Sequence, residues 1–280
     1  MGIVQQPSLV DYWGQSTLTN TPGIAAVMTR TWFLQILRYL HFVDNESEVA
    51  KLPKDSPDYD KLYKIRDLLN IIRRNIQGAL NLERNIAIDE TLVKFKGRVG
   101  FRQFLPNKPG RFGVKNFTLS ESSSGYVWDL LVYTGKTGHD PEKGVAHHVA
   151  MKLLEGLEGK GYNLFVDNWY SSPALFLDLA KEKTLACGTV RAGRKGLPGD
   201  IMNIKDKEIK SMKRGQCVFR KKGRLTACTW KDNKFVHLLT TMPATSECST
   251  VTRAVKKKKK KQSRGQLLWS YTTSSQEERI

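Results

Sequence analysis

Four cysteines are all that the 280 residues contain, and Cys187, Cys217, Cys228 and Cys248 are scattered without a CxxC spacing or a Cys/His cluster. A zinc knuckle needs thiolate and imidazole ligands a few residues apart, so this scarcity argues against a structural metal centre and fits free thiols in a reducing compartment. No apolar run approaches the ~18 residues that a membrane span requires, and Met1 is followed by no basic-then-apolar leader pattern. A soluble, intracellular protein with no membrane partner is expected. Acid is scarce as well: 27 Asp and Glu stand against 46 Lys and Arg, a formal charge of +19. Such an excess points to a polyanionic partner, because neutralising phosphates releases condensed counterions. The alternative is a basic surface that binds nothing.

What is present is enough to fold. Hydrophobic residues make up 40% and aromatics 9%, too much for a disordered basic chain. "TRTWFLQILRYLHFVDN" spaces Trp32, Phe33, Ile36, Leu37, Leu40 and Val43 for one helix face, with Thr29 or Thr31 as the cap. "DKLYKIRDLLNIIRRNIQGAL" does the same with Leu62, Ile65, Leu68, Leu69, Ile72 and Ile76. Residues 1–80 therefore read as a helical region. The period then changes to strands in "NIAIDETLVKF", "FGVKNFTLSES" and "YVWDLLVYTG". A helix "GVAHHVAMKLLEGLEG", a strand "YNLFVDNWY", a helix "SPALFLDLAKEK" and a strand "TLACGTVRAG" follow. Three strands able to form a meander, then strands returning through helical crossovers, make the topology of an RNase H-like α/β core over residues 81–196. Residues 197–255 read as a β-rich insertion, with two or three antiparallel strands and turns at "KKGR" and "KDNK".

Two carboxylates stand out. Asp89 lies in the first strand and Asp167 at the end of the strand after the first core helix. Those strands are neighbours in an RNase H-like sheet, so the pair could share a divalent cation. Mg²⁺ is a hard ion held by one or two carboxylates plus phosphate oxygens, and two such ions assist in-line phosphoryl chemistry. Sites of that kind need a third acid. The competing reading makes each Asp a turn or helix cap, although Ser171 or Ser172 is the better cap after Asp167. Glu90 alternates to the opposite strand face and reads as structural.

"KFKGRVGFRQFLPNKPGRFGVK" interleaves Lys94, Lys96, Arg98, Arg102, Lys108, Arg111 and Lys115 with Phe95, Phe101, Phe104 and Phe112. Basic side chains take phosphates and aromatic rings stack on exposed bases; alternatively the rings are core and the lysines merely solvated. Arg191, Arg194 and Lys195 in "TVRAGRKGLP" form a second basic loop with the same two readings. Of the helical pair His147 and His148, one is expected in the core and one at the surface.

With "PSLVDYW", "LRYLHFVDN", "IAIDETLVKFKGR", "LPNKPGRFGVK", "VDNWYSS" and "CGTVRAGRKGLP" in order from about residue 7 to residue 198, the chain resembles the piggyBac transposase family, including its domesticated derivatives. The resemblance implies a DDE-type enzyme with an RNase H-like core, an insertion domain and a helical region used in dimerisation and DNA binding. It implies cutting and joining of DNA at TTAA sites with Mg²⁺ or Mn²⁺. By position Asp89 looks like the family's first catalytic aspartate and metal ligand, and Asp167 like its second. The family's third aspartate lies in a "GGVDxxDQ" motif, which these residues do not contain; Asp200, Asp206 and Asp232 sit in turn-like contexts and none is assigned. The family's cysteine-rich C-terminal domain is not matched either, and "MGIVQQPSLVDYW" resembles an internal stretch. The resemblance thus implies a form truncated at both ends: a nuclear DNA-binding protein without complete cleavage and strand transfer, as a homodimer or paired with a full-length relative. An active metal-dependent nuclease with another acid completing the site, or a non-functional pseudogene product, are the alternatives. "VKKKKKKQSRGQ" opens a lysine-rich tail, residues 256–280, expected to be disordered. Its origin reads either as a frame slip on an adenine tract or as a nuclear-localisation or phosphate-binding run.

Overall fold

Short helices occupy the first part of the chain, in keeping with its reading as a helical region. The computed structural model describes residues 4–106, 110–135, 142–203, 206–243, 248–253 and 261–266, and the chain divides into two units, Met1–Ile71 and Ile72–Ile280. In the first unit Ser8 opens a 3-10 turn, Leu9–Trp13, and its backbone N–H donates to Asp11 Oδ2 at 3.0 Å. Helix α1 (Pro22–Val27) begins on Pro22, whose fixed φ suits a first helical position. Helix α2 (Arg30–Tyr39) is capped by Thr29, whose hydroxyl accepts from Trp32 N at 3.3 Å; of the two threonines considered, Thr29 is the cap. The rings of Trp13 and Phe33 meet at 5.2 Å. A short α3 (Glu48–Lys51) and a 3-10 turn (Tyr63–Ile65) lead into α4 (Arg66–Ala79), which carries the chain across the division.

The second unit is built on a nine-stranded mixed sheet. Its strands are β1 (Asn85–Lys94), β2 (Gln103–Phe104), β3 (Phe112–Glu121), β4 (Val127–Val132), β5 (Asn163–Val166), β6 (Leu185–Thr189), β7 (Cys217–Lys222), β8 (Leu225–Lys231) and β9 (Phe235–Thr240). The order runs β2-β3-β1-β5-β6-β9-β8-β7, with β4 also on β3. Strands β1, β3 and β4 form an antiparallel group, while β1, β5 and β6 are parallel neighbours. A parallel pair needs a crossover. Helix α5 (Gly144–Leu153) leads from β4 to β5, and α6 (Pro173–Lys181) leads from β5 to β6.

One core joins these layers. Ile86 and Ile88 of β1, Phe117 and Leu119 of β3, and Leu164 and Val166 of β5 alternate onto one face and pack with Leu153 of α5 and with Leu175, Phe176 and Leu179 of α6. Ser172 caps α6 by accepting from Leu175 N at 3.2 Å, and Pro173 follows at its first turn. At the margin of the sheet, Arg73 of α4 forms a two-pronged ion pair with the buried Asp129 of β4, at 2.6 and 2.7 Å.

Strands β7, β8 and β9, which follow Gly196, continue the main sheet: β9 pairs with β6 through Gly188↔Leu239. Gly223, with φ 58°, makes the first of the two expected turns, and Asp232 N donates to Lys234 O at 3.0 Å in the second. Two short helices, α7 (Gly199–Met202) and α8 (Lys207–Ser211), precede them. Two further strands, β10 (Cys248–Arg253) and β11 (Lys261–Gln266), pair antiparallel. Of the tail expected to be disordered, Lys261–Gln266 is therefore placed as a strand, and residues 256–260 and 267–280 lie outside the described residues. No helix among the described residues is long and apolar enough to cross a membrane.

Candidate carboxylate site and basic sheet end

The parallel register of β1 on β5 pairs Ile86 with Leu164 and Ile88 with Val166. The next position on each chain is an aspartate, so Asp89 and Asp167 are brought side by side where β5 ends. Their backbones hold them there. Asp89 Oδ1 accepts from Glu90 N at 2.7 Å, and Asp167 Oδ1 accepts from Trp169 N at 2.8 Å. The Asp167 carbonyl also receives Ser171 N at 3.2 Å and Ser171 Oγ at 2.9 Å, which closes a tight turn before α6. Asp167 thus does hold a turn, but with one oxygen. Among the described residues the second carboxylate oxygen of each Asp has no hydrogen-bond partner. Gly188 of β6 lies opposite Val166, and a Cβ there would overlap the Val166 carbonyl oxygen and the Ser171 hydroxyl. Glycine is what lets β6 close on this turn.

Beside the pair lies a wall in which Glu90, expected to be structural, meets Lys115, expected among the phosphate-binding cations. Glu90 is half-buried on the other side of β1 and pairs with Lys115 Nζ at 3.4 Å. Burial pushes its carboxyl above the usual range, Lys115 opposes that, and the charges of Asp167 and Asp89 add to it. The Lys115 ammonium stands 4.6 Å from the Phe117 ring centroid and 5.0 Å from that of Trp169, and those rings stack at 5.4 Å. Tyr170 packs edge-on to Trp169 at 4.6 Å. Its buried hydroxyl has no partner among the described residues, and burial followed by the three nearby carboxylates pushes the phenol far above its usual range. The sequence signal for this wall was slight: a lysine two residues before a strand phenylalanine, and a Trp-Tyr pair in a turn.

The basic candidates fall into two groups. Lys94, Lys96, Arg98, Arg102 and Arg111 are exposed at the β1, β2 and β3 end of the sheet; Lys115 is half-buried in the wall just described, and Lys108 lies outside the described residues. The loop after β6 folds back onto the Asp167 turn. Arg191 Nε donates to Asn168 Oδ1 at 3.0 Å, and the Arg194 guanidinium donates to the carbonyls of Asn168 and Trp169. Burial, then the charge of Arg191, draws Arg194 below its usual range. Lys195 is exposed. Arg194 is therefore a brace of the site as well as a cation near it.

The late acids are engaged elsewhere. Asp200 pairs with Arg220 at 2.6 Å and Asp232 with Arg214 at 2.9 Å, while Asp206 caps α8 through Glu208 N at 2.9 Å. No group of three or more His, Cys, Asp or Glu suited to a metal ion occurs among the described residues. The donor set Asp89 and Asp167, each with an open oxygen, suits one hard cation whose other positions come from phosphate and water; it does not assemble a two-ion site. His147 is buried with Nε2 3.1 Å from Asp178 Oδ2, and His148 is exposed, so one faces the core and one the surface.

A family model described as Transposase IS4 matches residues 1–273. The human piggyBac transposable element-derived protein 3 is 30% identical over 270 residues, covering 93% of this chain and 43% of that protein. The human piggyBac transposable element-derived protein 2 is 28% identical over 244 residues, covering 85% of this chain and 39% of that protein. Among solved structures, the piggyBac transposase synaptic complex with hairpin DNA, determined by cryo-electron microscopy, aligns with a TM-score of 0.71 at 25% identity, over 80% of this chain and 45% of that one. The chain spans less than half the length of the curated relatives it matches. With a family model matched over residues 1–273 and with these relatives, the chain belongs to the piggyBac-type transposase family.

Proposed function

We propose that this chain is a transposase-derived DNA-binding protein whose core is RNase H-like and whose carboxylate site is incomplete for cleavage and strand transfer. The strand order β4-β3-β1-β5-β6, with α5 and α6 as crossovers, supports the RNase H-like reading. The observation that carries the functional reading is the register that sets Asp89 beside Asp167 without a third ligand among the described residues. Asp89 and Asp167 would hold one Mg²⁺ or Mn²⁺, which when bound polarises phosphoryl oxygens and favours an attacking hydroxide. The chain's own residues orient and bind: Arg194 and Ser171 fix the Asp167 turn, and the exposed Lys94, Lys96, Arg98, Arg111, Arg191 and Lys195 attract the phosphate backbone. The related structure's hairpin DNA supports DNA as the partner, and a nucleic-acid partner fits a nuclear location. A homodimer, or pairing with a full-length relative, is part of the same proposal.

Fluorescence anisotropy on duplex DNA tests binding. Contacts with about six phosphates would lower affinity by roughly 10³ between about 50 and 200 mM salt. A flat salt response would sink the reading. Supercoiled plasmid incubated with Mg²⁺ or Mn²⁺ tests the chemistry: we expect no strand breakage. The open oxygens of the aspartate pair favour the rival reading of an active nuclease, and nicking abolished by both Asp89→Ala and Asp167→Ala would establish it.

A further inference from the structure

The β1, β2 and β3 end of the sheet carries an aromatic row. Phe104 opposes Phe112 in the β2–β3 register. Lys94 opposes Gly113 across β1 and β3, and Phe95 N donates to Phe112 O at 3.4 Å, so Phe95 opposes Phe112 from the other side. Directly opposed residues of paired strands project from the same face. The three phenylalanines therefore leave the same face of three adjacent strands. They are not core: Phe95 is 36% exposed, and Phe104 and Phe112 are each 52% exposed. The Phe104 and Phe112 centroids lie 4.7 Å apart, and the Arg102 guanidinium stands 5.2 Å from the Phe112 centroid. That guanidinium also donates to the Lys96 and Gly97 carbonyls, at 3.4 and 3.3 Å, which ties the loop between β1 and β2 to the row.

An exposed apolar row calls for an occupant, and the charge around it names the class. Lys94, Lys96, Arg98 and Arg111 are exposed at its edges, and from Thr91 to Ser120 the sequence has no Asp or Glu. A partner with planar apolar faces and a negative backbone fits both features. Duplex DNA buries its base faces in the stack, whereas unpaired bases present them, and aromatic rings reward that presentation. Strand spacing spreads the row over about 10 Å, enough for two or three unstacked bases.

We propose that Phe95, Phe112 and Phe104 form a stacking platform for unpaired DNA bases, so that this end of the sheet binds single-stranded or strand-separated DNA in preference to intact duplex. The proposal rests on the DNA-binding reading above. The probes are one labelled oligonucleotide of about 20 nucleotides, single-stranded and annealed to its complement, measured by anisotropy at one salt concentration. Wild-type protein should prefer the single strand. Phe104→Leu with Phe112→Leu keeps apolar bulk but removes the π-faces; it should weaken single-strand binding roughly tenfold and change duplex binding less than twofold. Phe104→Trp should retain single-strand binding, and Lys94→Gln with Lys96→Gln should weaken both probes alike. Unchanged melting of each variant shows that folding is intact. Duplex binding with no response to the leucine pair overturns the platform and leaves the DNA reading standing; failure of wild-type protein to bind either probe overturns both. Self-association that the leucine pair abolishes, with DNA binding untouched, assigns the face to a second copy of the chain and overturns base stacking.

Discussion

Helices α2 and α6 show the same kind of sequence pattern and opposite fates. In α6, Leu175, Phe176 and Leu179 are no more than 1% exposed, packed into the core that the sheet and α5 share. In α2, Trp32 is 64%, Ile36 46% and Leu37 47% exposed. The expected helix forms in both places, with a side-chain cap in both. Periodicity specifies a helix and its apolar face, and burial depends on what the fold brings against that face.

The contrast can be broken or sharpened by substitution. The largest effect belongs to α6: Leu175→Ala should destabilise the protein by roughly 2–5 kcal/mol, because the rigid sheet cannot collapse into the cavity. Urea unfolding measures it. A loss under about 1 kcal/mol would mean that the α6 core is loosely packed. An intermediate effect belongs to the exposed rim of the same helix. Hydrogen bonds from Lys143 and then Lys181 hold the Asp178 carboxyl well below the usual range. A folded-state pKa below the unfolded value contributes stability that is present above about pH 4 and is lost as pH falls further. Asp178→Asn should therefore cost about 1 kcal/mol at neutral pH after solvent screening, and the two stability curves should converge in acid. Parallel curves down to acid pH would show that the charge does not carry the effect. The smallest effect belongs to α2: Leu37→Ala should change stability by less than about 0.5 kcal/mol. A loss above 2 kcal/mol would show that this face is covered in solution, and the contrast between the helices would vanish.

Much of the site was legible because it depends on strand identity. Asp89 and Asp167 could be named once two hydrophobic runs were recognised as strands, and the parallel register then set them at adjacent positions. The arginines after β6 were visible as a basic loop, yet nothing in "TVRAGRKGLP" indicates that Arg194 would reach the carbonyls of Asn168 and Trp169. Those partners lie 26 and 25 residues away, and hydrogen bonds to backbone carbonyls leave no mark on side-chain identity. Glu90 and Lys115 were visible singly, but their assembly with Phe117 and Trp169 was not, for a related reason: the members come from three separate segments, and a half-buried ion pair looks in sequence like two separate charges.

The strands after Gly196 show the same limit. Their alternation and turns pointed to two or three strands, and only the β9–β6 pairing made β7, β8 and β9 part of the main sheet. The sequence by itself determined most of the local elements, narrowed each of two helix caps to a pair of candidates, and determined the excess of basic over acidic side chains. These follow from backbone sterics, side-chain period and charge, which act over a few residues. The tertiary structure alone decided which apolar faces are buried, that Asp200, Asp206 and Asp232 are tied up elsewhere, and that Phe95, Phe112 and Phe104 form one row. Each of these depends on register between distant strands, where a shift of one residue would turn every side chain to the opposite face.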